Sequence, residues 1–219
     1  DRLRSRGLGD VYKRQVVDSE PGSYLYCGLS RDASKEEILE RINNNTITDI
    51  LNKIEVKAGD VVMVKAGTIH AIGAGVFICE IQQNSNCTYR MYDYDRRDKF
   101  GNPRELHVKK ALDVVDNHKY IKDNKTEVVI ARNEHFTEER LVQCKYFEVY
   151  KYDVNDEAKI TVDEASFVSV LFINGSGTIE TDDYEKTMEF KAGDSFFVSA
   201  GLRSIIVKGR ATMAVSYTH

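Results

Sequence analysis

The residues of this chain with chemistry to offer gather between Lys57 and Arg97. His70 follows a doubled turn signal: Lys57-Ala-Gly-Asp60 opens the apolar run Val61-Val-Met-Val64, and Lys65-Ala-Gly67 closes it. Glu80, Gln82 and Gln83 lie on the otherwise apolar stretch Val76 to Gln83, and Arg90 lies beyond an Asn84-Ser85-Asn86 turn on Cys87 to Tyr94. A neutral imidazole is a common zinc ligand, and catalytic zinc keeps three protein ligands and one open position. A guanidinium supplies a fixed charge that does not titrate. Polar side chains on strands at a barrel mouth need partners or a ligand. Taken alone, one strand histidine is more often packed or solvent-facing than metal-bound. The plain alternative for Arg90 is a salt bridge to Asp93, Asp95 or Glu80.

Strands must carry these groups. Val61 to Val64 has strand length and is bounded by glycine turns. Val16 to Leu29 reads as two short strands around Glu20-Pro21-Gly22, with Leu25, Cys27 and Leu29 alternating against Tyr24, Tyr26 and Gly28. Ser34-Lys-Glu-Glu37 is a capping box that starts a helix carrying Ile38, Leu39 and Ile42. Thr46 to Asp49 starts a second short helix with Ile47, Ile50, Leu51 and Ile54, and both helices read as a packing lid. Asp95 to Pro103 is a polar loop, Arg104 to Asp113 a third helix with His107 in its first turn, and 117–125 an apolar-poor linker.

From Thr126 the strand pattern resumes: Val128 to Ala131, Phe147 to Tyr152, Phe167 to Phe172, Thr178 to Thr181, Phe196 to Val198 and Ser204 to Val207. Short strands separated by turns indicate an antiparallel sandwich or jelly roll. Lys191-Ala-Gly-Asp-Ser-Phe-Phe-Val-Ser-Ala-Gly201-Leu-Arg-Ser204 aligns without a gap on Lys57 to His70. The second copy holds Ser204 where the first holds His70. A hydroxyl is a poor zinc ligand, so the second copy is expected to be structural and metal-free.

The 219 residues suit one large or two small domains, and a hydrophobic share of 42% builds a real core. A formal charge of -4 makes neither nucleic acid nor an anionic membrane surface a natural partner. No apolar run approaches the roughly eighteen residues of a membrane-spanning helix. Cys27, Cys79, Cys87 and Cys144 lack metal or disulfide-framework spacing; Cys79 and Cys87 flank one turn, and reduced thiols are expected. Asp1 to Gln15 and Ser216 to His219 resemble translated sequencing adapters, and both are set aside as non-native. The leader has five basic and two acidic residues, so the remainder carries -7.

Gly67-Thr-Ile-His70-Ala-Ile-Gly73, Glu80-Ile-Gln-Gln-Asn-Ser-Asn86, Thr88-Tyr-Arg90 and Tyr92-Asp-Tyr94 together resemble type I mannose-6-phosphate isomerase in its short bacterial form. The Gly59-to-His70 spacing within them is similar to a cupin half-motif, with Lys65 where many cupins have proline. The resemblance runs from about Val16 to about Val215. It implies an all-β fold of two double-stranded β-helix (cupin, or jelly-roll) barrels with a small α-helical insert. Residues 16–116 would form the C-terminal part of the catalytic barrel, and 126–215 the second, metal-free one.

The resemblance further implies a cytoplasmic, zinc-dependent isomerase with a small sugar phosphate as its partner. Mannose 6-phosphate and fructose 6-phosphate would interconvert through an enediol. His70 would be a zinc ligand, and Arg90 falls at the family's active-site arginine. Glu80, Gln82 and Gln83 would meet the sugar, although Glu80 reads equally as a group orienting a polar neighbour. Arg96 and Arg97 read either as a solvated turn or as an entrance for the phosphate. The family's upstream histidine and glutamate ligands do not appear before Val16, so the first barrel is expected to be incomplete and the chain inactive alone. Monomer and homodimer both stay open. A sugar-binding cupin without turnover is the alternative.

Overall fold

The computed structural model describes residues 3–5, 12–83, 88–94, 96–122, 128–181 and 184–218, with backbone alone for 3–5, 12 and 184–186. Two compact units divide the chain, Asp1–Lys122 and Asp123–His219.

The first unit contains β1 (Leu3–Ser5), β2 (Tyr12–Ser19), β3 (Tyr24–Leu29), α1 (Lys35–Asn43), β4 (Leu51–Glu55), β5 (Val61–Val64), β6 (His70–Ile72), β7 (Val76–Gln82), β8 (Tyr89–Tyr92) and α2 (Val108–Val114). These strands build two antiparallel sheets, ordered β4-β3-β6-β1-β8 and β5-β2-β7. Period-two alternation gives each sheet two different faces. Leu25 and Cys27 from one sheet pack with Val16, Val62 and Val64 from the other, forming the core between them. On the opposite face of the five-stranded sheet, Ile69, Ala71 and Met91 pack under Ile38 and Ile42 of α1 and Ala111 of α2. The helical lid therefore covers the back of the sheet that carries His70.

Several sequence expectations need correction. The exclusion of both ends from the fold does not hold. Tyr12 to Gln15 run in β2, paired with both β5 and β7, and Ser216 to Thr218 end the last strand. The second helix is a single 3-10 turn, Ile47–Ile50; Leu51 and Ile54 belong to β4. Leu51 already has extended backbone at the end of that turn and goes on to pair with β3. Residues 117–122 are not a linker, because the Tyr120 amide donates to the Leu29 carbonyl at 2.8 Å and the Tyr120 hydroxyl to the Met63 carbonyl. His107 precedes α2 instead of lying in its first turn. Ser34 Oγ accepts from the Glu37 amide as a cap should, but the Glu37 carboxylate turns to Arg31 and Arg41, which hold it down to about 2. The Asn84–Asn86 turn and residues 123–125 lie outside the described residues.

The second unit is one antiparallel sheet curled on itself. It contains β9 (Val128–Arg132), β10 (Phe136–Gln143), β11 (Phe147–Val154), β12 (Glu157–Val162), β13 (Val168–Thr181), β14 (Tyr184–Lys191), β15 (Ser195–Val198) and β16 (Arg203–Thr218). Its path runs β14-β13-β16-β11-β10-β9, with β12 on β16 and β15 on β13. Phe172, Val170, Ile205, Met213 and Val215 fill the interior. Strands β10, β12 and β14 go unread in the sequence; charged residues occupy their outward positions and dilute the apolar signal.

The internal repeat is structural as well as sequential. Gly59 and Gly193 take φ of +94° and +92°, Gly67 and Gly201 +77° and +80°, all in the left-handed region that favours glycine. The amides of Lys57 and Lys191 donate to the carboxylates of Asp60 and Asp194, each at 2.9 Å. Both turns then lead into short strands, β5 and β15. His70 and Ser204 are each 2% exposed.

Candidate active site

His70 opens β6, directly opposite Cys27 of β3 on one side and Arg4 of β1 on the other. Arg4 in turn stands opposite Arg90 of β8. Residues facing each other across an antiparallel ladder project to the same side. His70 and Arg90 therefore share a row and a face of the five-stranded sheet, two strands apart, or roughly 10 Å. This is the face of Cys27, turned toward the three-stranded sheet.

The imidazole is oriented from below. His70 Nδ1 lies 2.8 Å from the Thr68 carbonyl oxygen, and a carbonyl can only accept. Nδ1 therefore carries the proton, and Nε2 is the nitrogen with a lone pair. That is the tautomer a metal-ligating histidine adopts when its other nitrogen is tied to a backbone carbonyl. Gly67 makes the approach: it leaves β5 at positive φ, and an added Cβ would stand 2.6 Å from the Val114 carbonyl.

Arg90 is fixed on both sides by the segment leading into α2. Its amide donates to His107 Nδ1 at 3.3 Å, the His107 amide donates to its carbonyl at 2.7 Å, and its guanidinium donates to the Glu105 carbonyl at 3.0 Å. Of the carboxylates the salt-bridge reading named, Glu80 pairs with Arg14 and Asp93 lies near Arg104, while Asp95 lies outside the described residues. Its Nε is buried without a hydrogen-bond partner. His107 is the positioning group that sequence reasoning missed. A histidine beside a helix start is ambiguous until its pairing is known.

The facing sheet contributes Arg14 and Glu80, which are direct partners across β2 and β7 and join at 2.5 Å from Nε to Oε2. Glu80 is thereby held by a guanidinium. Arg14 belongs to the leader that sequence reasoning set aside. Residue alternation puts it on the same side as Val16, in the inter-sheet core, where its charge also acts on the Cys27 thiol. Burial dominates there and pushes that thiol up to about 11. On the other face of β2, Lys13 Nζ donates to Gln15 at 2.9 Å, and burial pulls Lys13 down to about 8.

Gln82 ends β7 and Gln83 follows it; the Oε1 of Gln83 is buried without a hydrogen bond. Arg96 and Arg97 lie on the exposed loop after β8. Arg96 stacks over Tyr94 at 5.4 Å, and Arg97 donates to the Gly101 carbonyl. Cys79 is a buried free thiol, and Cys87 lies outside the described residues. No group of three or more His, Cys, Asp or Glu that would hold a metal ion occurs among the described residues.

Two facing antiparallel sheets, a second curled sheet repeating the same turn, and a strand-borne histidine define an all-β protein of the cupin type. Residues 137–218 match the family description "Mannose-6-phosphate isomerase, cupin domain". The chain is 41% identical over 215 residues to the putative mannose-6-phosphate isomerase YvyI of Bacillus subtilis, and 34% identical over 220 residues to mannose-6-phosphate isomerase ManA of the same organism. In both cases 96% of this chain matches 65% of the relative. The crystal structure of the mannose 6-phosphate isomerase from Bacillus subtilis superposes with a TM-score of 0.87 at 32% identity, covering 98% of this chain and 70% of that one. This chain belongs to the mannose-6-phosphate isomerase family. It spans about two thirds of the length of the curated relatives it matches.

Proposed function

We propose that this chain carries part of the active site of a cytoplasmic, zinc-dependent aldose-ketose isomerase that interconverts mannose 6-phosphate and fructose 6-phosphate through an enediol. The observation that carries the reading is the shared face of His70 and Arg90, with His70 presenting Nε2 as its lone-pair nitrogen. Family membership supports the substrate: the relatives at 34–41% identity bear the isomerase name.

Bound zinc polarises carbonyl and hydroxyl oxygens. His70 fits as one of its ligands. The rest of a three-ligand set is not found among the described residues, and Glu80 is engaged by Arg14. What this chain supplies to the reaction is charge and position. Arg90, protonated throughout, stabilises the oxygen that becomes negative as the proton leaves C2 or C1, and it does not itself move that proton. Glu80, Gln82 and Gln83 hold sugar hydroxyls, and Arg96 and Arg97 meet the phosphate at the exposed rim.

The present chain is inactive by itself in this reading. The test is an isomerase assay in zinc on this chain and on a form lengthened to the span of its relatives. Turnover in the lengthened form alone supports the proposal. Binding of sugar phosphate without turnover in either form favours the second reading, a non-catalytic sugar-binding cupin.

A further inference from the structure

The second unit carries a polar cleft that the isomerase reading does not use. Its volume is about 530 Å³, within the range of small-ligand sites. Strand register explains its chemistry. Asp153, Thr212 and Asn174 form one row across β11, β16 and β13, because Asp153 pairs with Thr212 and Thr212 with Asn174. Two residues further along, Arg210 stands directly opposite Ser176 on the same face, and Asn155, just beyond β11, lines the cleft with its side-chain amide donating to the Glu134 carbonyl at 3.0 Å. The intervening Val154 and Ala211 point into the core. A bulge between Phe172 and Asn174 bends β13 at this point. Gly175 crosses beneath at φ +91°, where an added Cβ would lie 1.9 Å from the Arg210 carbonyl, so the backbones approach as closely as glycine permits.

The charges on this face are unequal in their compensation. Asp153 is met by Lys151 at 2.6 Å and by the Thr212 hydroxyl at 2.9 Å. Lys208, next along β16 on the same face, is met by Glu180 at 2.7 Å. Arg210 has neither an ion pair nor a hydrogen bond among the described residues. The cleft therefore presents one uncompensated guanidinium beside hydroxyl and amide groups.

We propose that this cleft binds a small hydroxylated anion of the sugar-phosphate class, with Arg210 at the phosphate and Asn174, Ser176 and Asn155 at hydroxyls. A guanidinium fork suits phosphate oxygens, and amides and hydroxyls both donate to and accept from a polyol. The second unit, which has Ser204 at the position of His70, would then have a ligand of its own, independent of turnover in the first.

Calorimetric titration of the whole chain with mannose 6-phosphate, mannose and inorganic phosphate tests this, using the unaltered chain, Arg210→Gln, Asn174→Ala and Arg90→Gln. The expected result is saturable binding of mannose 6-phosphate that persists in Arg90→Gln and that, read in the Arg90→Gln background so that the first unit's site does not mask it, Arg210→Gln weakens at least tenfold. Mannose and phosphate bind at least tenfold more weakly, and Asn174→Ala weakens mannose 6-phosphate without changing phosphate. The proposal is overturned by absence of binding, by binding indifferent to Arg210→Gln, by loss of all binding in Arg90→Gln, or by phosphate alone binding as tightly. Turnover is not read, so failure here leaves the isomerase reading standing, and the reverse holds too.

Discussion

His70 and Arg90 stand in one row of one sheet, each opposite the same residue of the strand between them, and face the same side. An imidazole whose Nδ1 is tied to the Thr68 carbonyl and a permanently charged guanidinium are thus held at a fixed separation by backbone pairing. Side-chain contacts need not hold them there. Such preorganised charge is worth most where water is excluded.

In a form lengthened to the relatives' span, Arg90→Gln is expected to lower kcat by roughly 10²–10³-fold, the scale of losing one preorganised donor. Arg90→Lys restores charge but not the fork, so it recovers only part of the loss. Because neither residue titrates in the working range, the acid and base limbs of the pH-rate profile stay where they were. A displaced limb would show that Arg90 acts through another group.

The two copies of the turn repeat predict unequal costs for the same substitution. Gly201→Ala meets only Glu164 Cγ at 3.9 Å and should cost the left-handed penalty, roughly 1–2 kcal/mol. Gly67→Ala meets the Val114 carbonyl at 2.6 Å and should cost about 1–3 kcal/mol more, as an overpacked site does. Amide hydrogen exchange in each unit separately reads the two values. Equal losses would mean that α2 yields freely beside His70.

Lys13 gives a pH signature. Its folded value, pulled by burial from 10.5 down to about 8, lies below its unfolded one. Between those two values the unfolded chain binds more protons than the folded one, so stability rises with pH across about 8 to 10.5. Below about 8 the buried charge is a standing cost. Lys13→Met should therefore stabilise the chain at neutral pH, by on the order of 1–3 kcal/mol after the lost bond to Gln15, and remove that alkaline rise. Urea denaturation at pH 7 and at pH 10 measures both effects.

Strand β9 ends its sheet with Val128, Val129 and Ile130 all 41–50% exposed. An apolar edge invites pairing with another chain. Ile130→Lys is expected to lower self-association in sedimentation and to reduce dye binding to exposed apolar surface. Unchanged sedimentation would place any association elsewhere.

The sequence made the turn repeat legible because Lys-Ala-Gly-Asp demands a positive φ at glycine and an aspartate accepting the lysine amide, and both copies do this. It made His70 and Arg90 legible through local motifs. It did not reveal that they share a row, because register between remote strands depends on which strand lies between them. Arg14 escaped notice for a different reason: a basic, adapter-like segment gave no outward sign of being the central strand of a sheet. Strands β10, β12 and β14 were hidden by charged outward positions, and the polar cleft by the fact that its residues come from three strands far apart in the chain.

The most direct test of the account is zinc content together with isomerase turnover in the lengthened form, compared with its His70→Ala version. The account predicts about one zinc and measurable turnover in the first, and loss of both in the second with the second unit's hydrogen-exchange protection unchanged. Retention of zinc and turnover in His70→Ala would contradict it, because the imidazole held by Thr68 would then be a packing group and not a ligand.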